Sequence, residues 1–263
     1  MSGPLELAPW QIAAAATLVL LNGALSVWLR LGLERTLAIA SARSVIQLAI
    51  LGVVLEPVFA AGNPWLVGCI CAVMVLLASQ AAADRSARRF PGILRSSLIA
   101  LVIGAGGTAV LGTAAIVQVD PWWEPRYLIP MLGMILGNGL TGISLGLDRC
   151  LQQLDEHRDR VDALLGFGAA PWEASRPIVA DALRAGMIPI LNSMTVVGLV
   201  TIPGMMTGQI LGGTPPLQAA AYQMLILFLI AAATGIGTLV SILLATRAVF
   251  DSAGRLRPER IQS

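Results

Sequence analysis

Charged residues are scarce in this sequence of 263 residues: they make up 12% of it, and none of its 17 positively charged side chains is a lysine. Ordinary soluble domains carry about 25% charged residues. Hydrophobic residues instead make up 56%, and the mean hydropathy is +0.79. A soluble protein of this length could not hide so much apolar surface. The composition therefore excludes a soluble enzyme, a nucleic-acid-binding protein and a disordered protein, and it indicates a helical membrane protein with several spans.

Residues that usually carry catalysis are also scarce. His157 is the only histidine and lies in a charged connection, where we interpret it as a solvated loop residue. A single histidine cannot build a Ser/His or His-metal site of the usual kind. Cys69 and Cys71 are two residues apart, so they point to different faces of a helix and are interpreted as packing residues. Without lysine there is no Gly-x-x-x-x-Gly-Lys phosphate loop. We expect no catalytic site and no cofactor on this chain.

Carboxylates are missing from the centres of the apolar runs. All 15 acidic residues fall at the ends of these runs or in the connections, and Glu56 is the most ambiguous of them. The usual proton or cation relay of a secondary transporter needs a carboxylate at membrane depth. The sequence therefore argues against an ion-coupled carrier, and we expect the driving energy to come from elsewhere.

Apolar runs long enough for a transmembrane helix of about 20 residues are what the sequence does contain. They are continuous rather than alternating, which argues against a β-barrel. The Gly-Gly-Thr-Pro-Pro segment at 212–216 divides the last uncharged stretch into two. We predict an all-α membrane bundle of about seven transmembrane helices, forming one membrane domain over residues 1–263. The predicted spans are Trp10–Leu29, Thr36–Leu55, Pro64–Ala83, Ser96–Val119, Tyr127–Leu147, Gly186–Ile210 and Leu217–Ala245.

The arginines predict how these spans are oriented. Fifteen of the 17 lie in alternate connections or in the C-terminal tail, whereas Arg126 alone lies on the opposite side and Arg43 lies within a span. Because arginine is retained on the cytoplasmic side, the N-terminus is predicted outside and the C-terminus in the cytoplasm. The fifteen are Arg30, Arg35, Arg85, Arg88, Arg89, Arg95, Arg149, Arg158, Arg160, Arg176, Arg184, Arg247, Arg255, Arg257 and Arg260.

Arg43 is the one charge predicted at membrane depth, and Gln47 follows one turn later on the same helix face. An intramembrane charge is costly, so it indicates a functional or partnered residue. Arg43 also lies close enough to the cytoplasmic interface for its side chain to reach water. Both interpretations are open on the sequence.

The sixth predicted span is interrupted by Pro203-Gly204, which removes a backbone hydrogen bond and loosens the helix. Broken helices at membrane depth occur where they line a cavity or are buried by protein. Methionine thioethers nearby could bind a soft metal, or they could simply fill space. The polar and sulfur-containing candidates in the last three spans are Asn138, Asn192, Met205, Met206, Thr207, Gln209 and Gln223.

Small residues recur every four positions in three spans. Examples are Gly104, Thr108 and Gly112 in the fourth span and Gly142 with Gly146 in the fifth. Such spacing lets helix backbones approach closely where lipid supplies no hydrophobic drive. Tight packing within one bundle and a homodimer seam both fit this pattern.

The connection at about 148–185 is long for a membrane loop and is predicted to form two short helices. Gly166 and Gly168 end the first, and Pro171 can begin the second as its first helical residue. Polar residues on both sides of the glycine turn favour a soluble partner over the membrane surface. The residues expected to dock are Val161, Leu164, Leu165, Gly166, Gly168, Pro171 and Trp172.

The segment Asp162–Trp172 resembles the cytoplasmic coupling loop of ABC permeases. Longer motifs make the chain similar to the FetB-type family of ABC permeases, whose bacterial members are described as iron exporters and whose plant relatives act in aluminium tolerance. These motifs are Ala42–Leu48, Pro130–Asn138, Asn192–Val200 and Pro203–Gly213, followed by Pro216-Leu217, Ala219 and Tyr222-Gln223.

The resemblance implies half of a transporter in the bacterial inner membrane. Two copies would pair with two ATPase subunits, which would bind ATP and Mg and do the hydrolysis. The cargo would be iron or another metal, with Pro203 and Gly204 as a hinge and the polar candidates lining the passage. An anionic or nucleotide-sugar cargo, an ATPase-independent carrier and a non-transporting scaffold are alternatives. No nucleic-acid partner is expected.

Overall fold

The computed structural model describes residues 8–251 and 253–261, which form helices and no strand. Isolated bridges pair Val197 with Thr201 and Phe250 with Leu256. The helices are α1 (Pro9–Trp28), α2 (Glu34–Ala61), α3 (Pro64–Arg85), α4 (Ile93–Ile116), α5 (Pro125–Glu156), α6 (Arg158–Gly166), α7 (Pro171–Val196), α8 (Gly204–Leu211) and α9 (Pro216–Val249).

Six of the described helices are long and apolar enough to cross a membrane: α1 to α5, and α9. This confirms the predicted helical membrane bundle. The predicted span Gly186–Ile210 is interrupted as the sequence indicates, but the expectation that the break lies at Pro203-Gly204 is wrong, because the helix ends before that pair. Helix α7 ends at Val196, and a non-helical segment at 197–203 separates it from the short α8.

Two local features explain this early end of α7. Gly198 has φ +81°, a left-handed conformation that glycine adopts without a steric penalty. Five residues later Pro203 lacks an N–H and disfavours a helical conformation at Ile202. The chain therefore leaves the helix before the Pro203-Gly204 pair instead of bending there.

The contacts divide the chain into two compact units. The first holds the α1–α2 hairpin and Gly208–Thr214. Within the hairpin, the buried Ser26 hydroxyl donates to Glu34 Oε2 at 2.9 Å and accepts the Leu33 N–H at 2.9 Å. One side chain thereby closes the turn between the two helices.

The second unit holds Asn63–Thr207 and the chain from Pro215 onwards, with α5 and α9 at its centre. Helices meet there at glycines. A Cβ added to Gly104 would lie 2.8 Å from the backbone oxygen of Ala233, and one added to Gly186 would lie 2.6 Å from that of Gly142. Gly112 and Gly146 likewise face side chains of α9. Packing within the bundle is therefore confirmed for Gly104, Gly112 and Gly146.

Helix α4 widens into π-helical turns at Val102–Gly106 and Leu111–Ile116. Its glycines leave the backbone free to take the wider turn. The buried Thr108 hydroxyl donates back to Gly104 O at 2.6 Å. The first of these turns lies where α4 crosses the backbone of α9 at Gly237.

Candidate functional site

The end of α7 is held by a compact turn. The carbonyl of Val196 accepts the N–H groups of Leu199, Val200 and Thr201 at 2.9–3.3 Å. Gly198 N–H donates to Thr201 O at 2.9 Å. The turn brings Thr201 back beside the last residues of the helix.

A cavity of about 280 Å³ lies beside this turn, between α5, α7 and α9. Gln223 is buried in it, with 8% of its surface exposed, whereas Asn138, Ser193 and Thr201 are exposed. The cavity thus has a buried polar group and opens at the surface of the chain. Its lining residues are Asn138, Ile190, Ser193, Val196, Val197, Thr201, Pro203, Gln223, Leu227 and Ile230.

The polar groups of the cavity are amides and hydroxyls, which can both accept and donate hydrogen bonds. Gln223 Oε1 is buried and has no hydrogen-bond partner among the described residues. Asn138 uses its Nδ2 to donate to Met134 O at 2.9 Å, which leaves its amide oxygen available. An unsatisfied buried acceptor costs about 1–3 kcal/mol and calls for a partner. No group of three or more His, Cys, Asp or Glu side chains that could hold a metal occurs in the described part of the chain.

The structure brings only part of the predicted site together. Asn138, Gln223 and Pro203 line the cavity, whereas Asn192 and the two methionines do not. Thr207 is exposed, and its hydroxyl donates to Pro203 O at 3.1 Å. The roles of these residues in a passage, including the hinge at Pro203 and Gly204, stay predictions. Also outside the lining set are the half-buried Met205 and Met206.

Three predicted pathway residues belong to the first unit. Arg43 and Gln47 lie one turn apart on α2 and are exposed. Gln209 is half-buried, and its Oε1 has no hydrogen-bond partner in the described residues. Their roles also stay predictions.

Sequence reasoning missed several polar side chains. Ser193 and Thr201 line the cavity; Ser193 lies within the motif Asn192–Val200, and Thr201 directly follows it. In α9 the buried hydroxyls of Thr234, Thr238 and Ser241 have no partner among the described residues. Their spacing of four and then three residues places them on one helix face. This spacing of polar residues was the signal in the sequence that could have identified them.

Beyond the cavity, α7 is tied to α5 by a polar cluster. Asp181 Oδ2 accepts Arg149 Nε at 3.0 Å and Gln153 Nε2 at 2.7 Å. The hydrogen bond from Arg149 is the main reason why the pKa of Asp181 lies below its ordinary value. The ionised carboxylate therefore joins the two helices at neutral pH.

The turn between α6 and α7 is well ordered by backbone bonds. Gly168 has φ +92°, and the N–H groups of Gly168 and Ala169 donate to Leu165 O and Leu164 O, both at 3.0 Å. Glu173 accepts the Ala170 N–H at 2.8 Å, and α7 begins at Pro171 as the sequence predicts.

The predicted docking residues divide between the inside and the outside of this turn. Val161 is buried, whereas Leu164 and Leu165 are half-buried. Trp172 is 49% exposed, and Phe167, which is not among the predicted docking residues, is 90% exposed. The fold therefore presents two aromatic side chains on a rigid turn.

The C-terminal tail folds against the start of α7. Asp251 accepts the backbone N–H groups of Ala253 and Arg255 at 2.9 and 2.8 Å, and it pairs with Arg257. These bonds, led by the one from Arg255, lower the pKa of Asp251. A Cβ added to Gly254 would lie 3.1 Å from Cγ of Pro171, so the tail touches the α6–α7 turn.

Comparison with known proteins places this fold among membrane permeases. The model of an uncharacterised protein family, UPF0014, matches residues 9–250. The UPF0014 membrane protein slr1647 of Synechocystis is 36% identical, over 89% of this chain and 90% of that protein. The Escherichia coli protein named "Probable iron export permease protein FetB" is 32% identical, over 93% of each chain. The Arabidopsis thaliana protein ALUMINUM SENSITIVE 3 is 32% identical, over 93% of this chain and 88% of that one. No solved structure matches.

Proposed function

The chain belongs to the UPF0014 family of multi-pass membrane permeases, and from that premise we propose that it is the membrane subunit of an ABC transporter. In this proposal it exports iron or another metal. Energy comes from ATP and Mg on a separate ATPase subunit. The observation that carries the proposal is the course of α7, which runs without interruption from the exposed α6–α7 turn to the cavity.

The α6–α7 turn fits the ATPase contact. Gly168 and the bonds to Leu164 and Leu165 fix its backbone, so Phe167 and Trp172 need little further ordering when they enter a groove. Preordered side chains lose less conformational entropy on binding. The turn is thus suited to receive force from a partner without deforming.

Helix α7 would carry that movement into the membrane. Its 26 residues correspond to about 39 Å of helix at 1.5 Å per residue. Asp181 links it to α5, and Gly186 holds it in backbone contact with Gly142. A shift of the turn would therefore reach the polar cavity through one continuous helix.

Two copies in the bacterial inner membrane complete the proposal, with the N-terminus outside and the arginine-rich face in the cytoplasm. Exposed polar residues beside a non-helical segment support a second copy. Asn138 and Thr201 border the segment at 197–203. Non-helical backbone at membrane depth must be buried by protein or must line a water-filled cavity. A second copy would bury this segment against protein and would enclose a water-filled cavity beside it.

Arg43 is the observation that favours a second cargo. Its guanidinium would suit an anionic or chelated cargo better than a bare cation, and a nucleotide-sugar falls in that class. Such a cargo would make the α2 arginine indispensable for transport, whereas a bare metal would not. Flux of metal and of nucleotide-sugar after Arg43→Gln discriminates the two.

The ATPase contact is tested by co-purification and by stimulated ATP hydrolysis in proteoliposomes with the cognate ATPase subunit. Phe167→Ala with Trp172→Ala should abolish both, because the two exposed aromatic groups of the turn are lost. Trp65→Ala with Phe228→Ala is the matched control, since both side chains are exposed on membrane helices. If the turn variant binds and stimulates the ATPase as the parent does, the docking proposal is wrong.

A further inference from the structure

We propose that the cavity at the end of α7 binds a hard, partly hydrated divalent cation through neutral oxygen atoms, with the Gln223 amide oxygen as its central ligand. This rests on the proposed transport function and specifies the chemical class of the cargo. Four properties of the cavity support this site: an unsatisfied acceptor, the absence of charged lining residues, the volume and the kind of ligand atoms.

The unsatisfied acceptor is Gln223 Oε1. It is buried, lines the cavity and lacks a hydrogen-bond partner among the described residues. Asn138 adds a second amide oxygen, because its Nδ2 is used by Met134 O. Ser193 and Thr201 add hydroxyl oxygens at the mouth. Amide carbonyls and water are ligands that hard divalent cations accept.

The electrostatics of the cavity favour a cation over an anion. None of its ten lining residues is charged. The C-terminal end of α7 borders it through Ser193 and Val196, and a helix C-terminus carries the equivalent of about half a negative charge. An anion would meet this negative end without a compensating arginine in the lining.

The size of the cavity fits a small hydrated ion. A volume of about 280 Å³ compares with about 30 Å³ for one water molecule in the liquid. Pockets for drug-sized ligands begin at about 300 Å³. The space therefore holds an ion with several of its waters.

The kind of ligand atom in the cavity favours hard over soft metal ions. No sulfur atom lines the cavity, because Met205 and Met206 lie outside the lining set. Soft ions such as Cu(I) prefer thiolate and thioether ligands. A set of neutral oxygens also holds a divalent ion weakly, since affinity rises with the number of charged ligands. Weak binding suits a site that must release its cargo.

The test uses Mn²⁺ as the probe, with the full chain in lipid nanodiscs and free Mn²⁺ followed by electron paramagnetic resonance. Gln223→Leu should weaken Mn²⁺ binding by at least about tenfold, because removing even a residue that only supports a metal ligand typically lowers metal affinity by about that factor. Gln223→Glu should tighten binding. Mg²⁺ should compete, whereas Cu(I) should not. Met205→Leu with Met206→Leu should bind Mn²⁺ as the parent does.

The site is refuted if the parent binds no Mn²⁺ at millimolar concentration, if Gln223→Leu binds it unchanged, or if the methionine variant loses it. Folding is checked by thermal unfolding, and Gln223→Leu should keep its stability because leucine leaves no unpaired acceptor. ATPase assembly is measured on the same samples. If Mn²⁺ binding depends on Gln223 but the chain does not assemble with the ATPase, the ABC assignment is wrong and the cation site stands. If Gln223→Leu shows unchanged ATP-driven metal flux, the cation site is wrong and the ABC assignment stands.

Discussion

The close contact of α7 with α5 and α9 at Gly186 leads to a quantitative stability prediction. Gly186 lies where a Cβ would be 2.6 Å from Gly142 O and 2.7 Å from Thr238 Cγ2. The nearer atom belongs to a backbone, which cannot rotate away as a side chain can. Gly186→Ala should therefore force α7 away from its neighbours.

Two opposing terms set the magnitude. Replacing glycine by alanine inside a helix gains about 1 kcal/mol in helix propensity. Overpacking a close-packed interior costs about 1–3 kcal/mol. The net result is a destabilisation of up to about 2 kcal/mol. For a chain of this size each kcal/mol corresponds to about 2–4 °C in Tm, so we expect Tm to fall by up to about 8 °C.

The matched control is Gly137→Ala in α5. An added Cβ there meets no atom within 4 Å, so only the propensity gain remains and Tm should stay equal or rise. Thermal unfolding of both purified variants in the same detergent measures the difference. A Gly186→Ala protein as stable as Gly137→Ala would refute the inference that these backbones touch.

Two further predictions concern carboxylates outside the predicted transmembrane spans. Asp181→Asn should lower Tm at pH 7, because Arg149 and Gln153 lose a charged acceptor. Since folding lowers the pKa of Asp181, its contribution is complete above the ordinary pKa of about 3.9 and is lost as pH falls through the lower folded value. The Tm difference between parent and variant should accordingly shrink in acid, and a difference that grows would contradict the assignment. Asp251→Asn should loosen the C-terminal turn and speed trypsin cleavage at Arg255, whereas the exposed Asp155→Asn control should not. Equal cleavage rates in the two variants would show that Asp251 does not hold the tail.

Local sequence signals predicted the parts of the fold that depend on local physics. Continuous apolar runs located α1 to α5 and α9, because each such run must stay helical to satisfy its backbone in lipid. Gly168 and Pro171 marked the turn before α7, since each has a fixed preference at a helix end.

The end of α7 was harder to predict. The residues around Gly198 are apolar and β-branched, so they read as a continuing span. The structure ends the helix there because one left-handed glycine lets three N–H groups converge on Val196 O. Pro203 was the stronger signal in the sequence, and it lies at the far end of the break.

The cavity could not be predicted from the sequence, because it forms only through tertiary packing. Asn138 and Gln223 stood out as polar residues in apolar runs, but they are 85 positions apart and meet only because α5 and α9 pack together. Ser193 and Thr201 gave no separate signal, because serine and threonine are common in membrane helices, where their hydroxyls bond the preceding turn.

The contact at Gly186 divides α7 into two lever arms. Fifteen residues, or about 23 Å, separate it from Pro171, and ten residues, or about 15 Å, separate it from Val196. A sideways displacement of about 3 Å at the outer end would appear as about 2 Å, in the opposite direction, at the cavity end, since the arms are in the ratio of their lengths. Pro189 lies in the shorter arm, where its missing N–H allows the helix to bend. Under the proposed coupling, a pivot at Gly186 would give a smaller displacement and a larger force at the end of α7 where Gln223 lies.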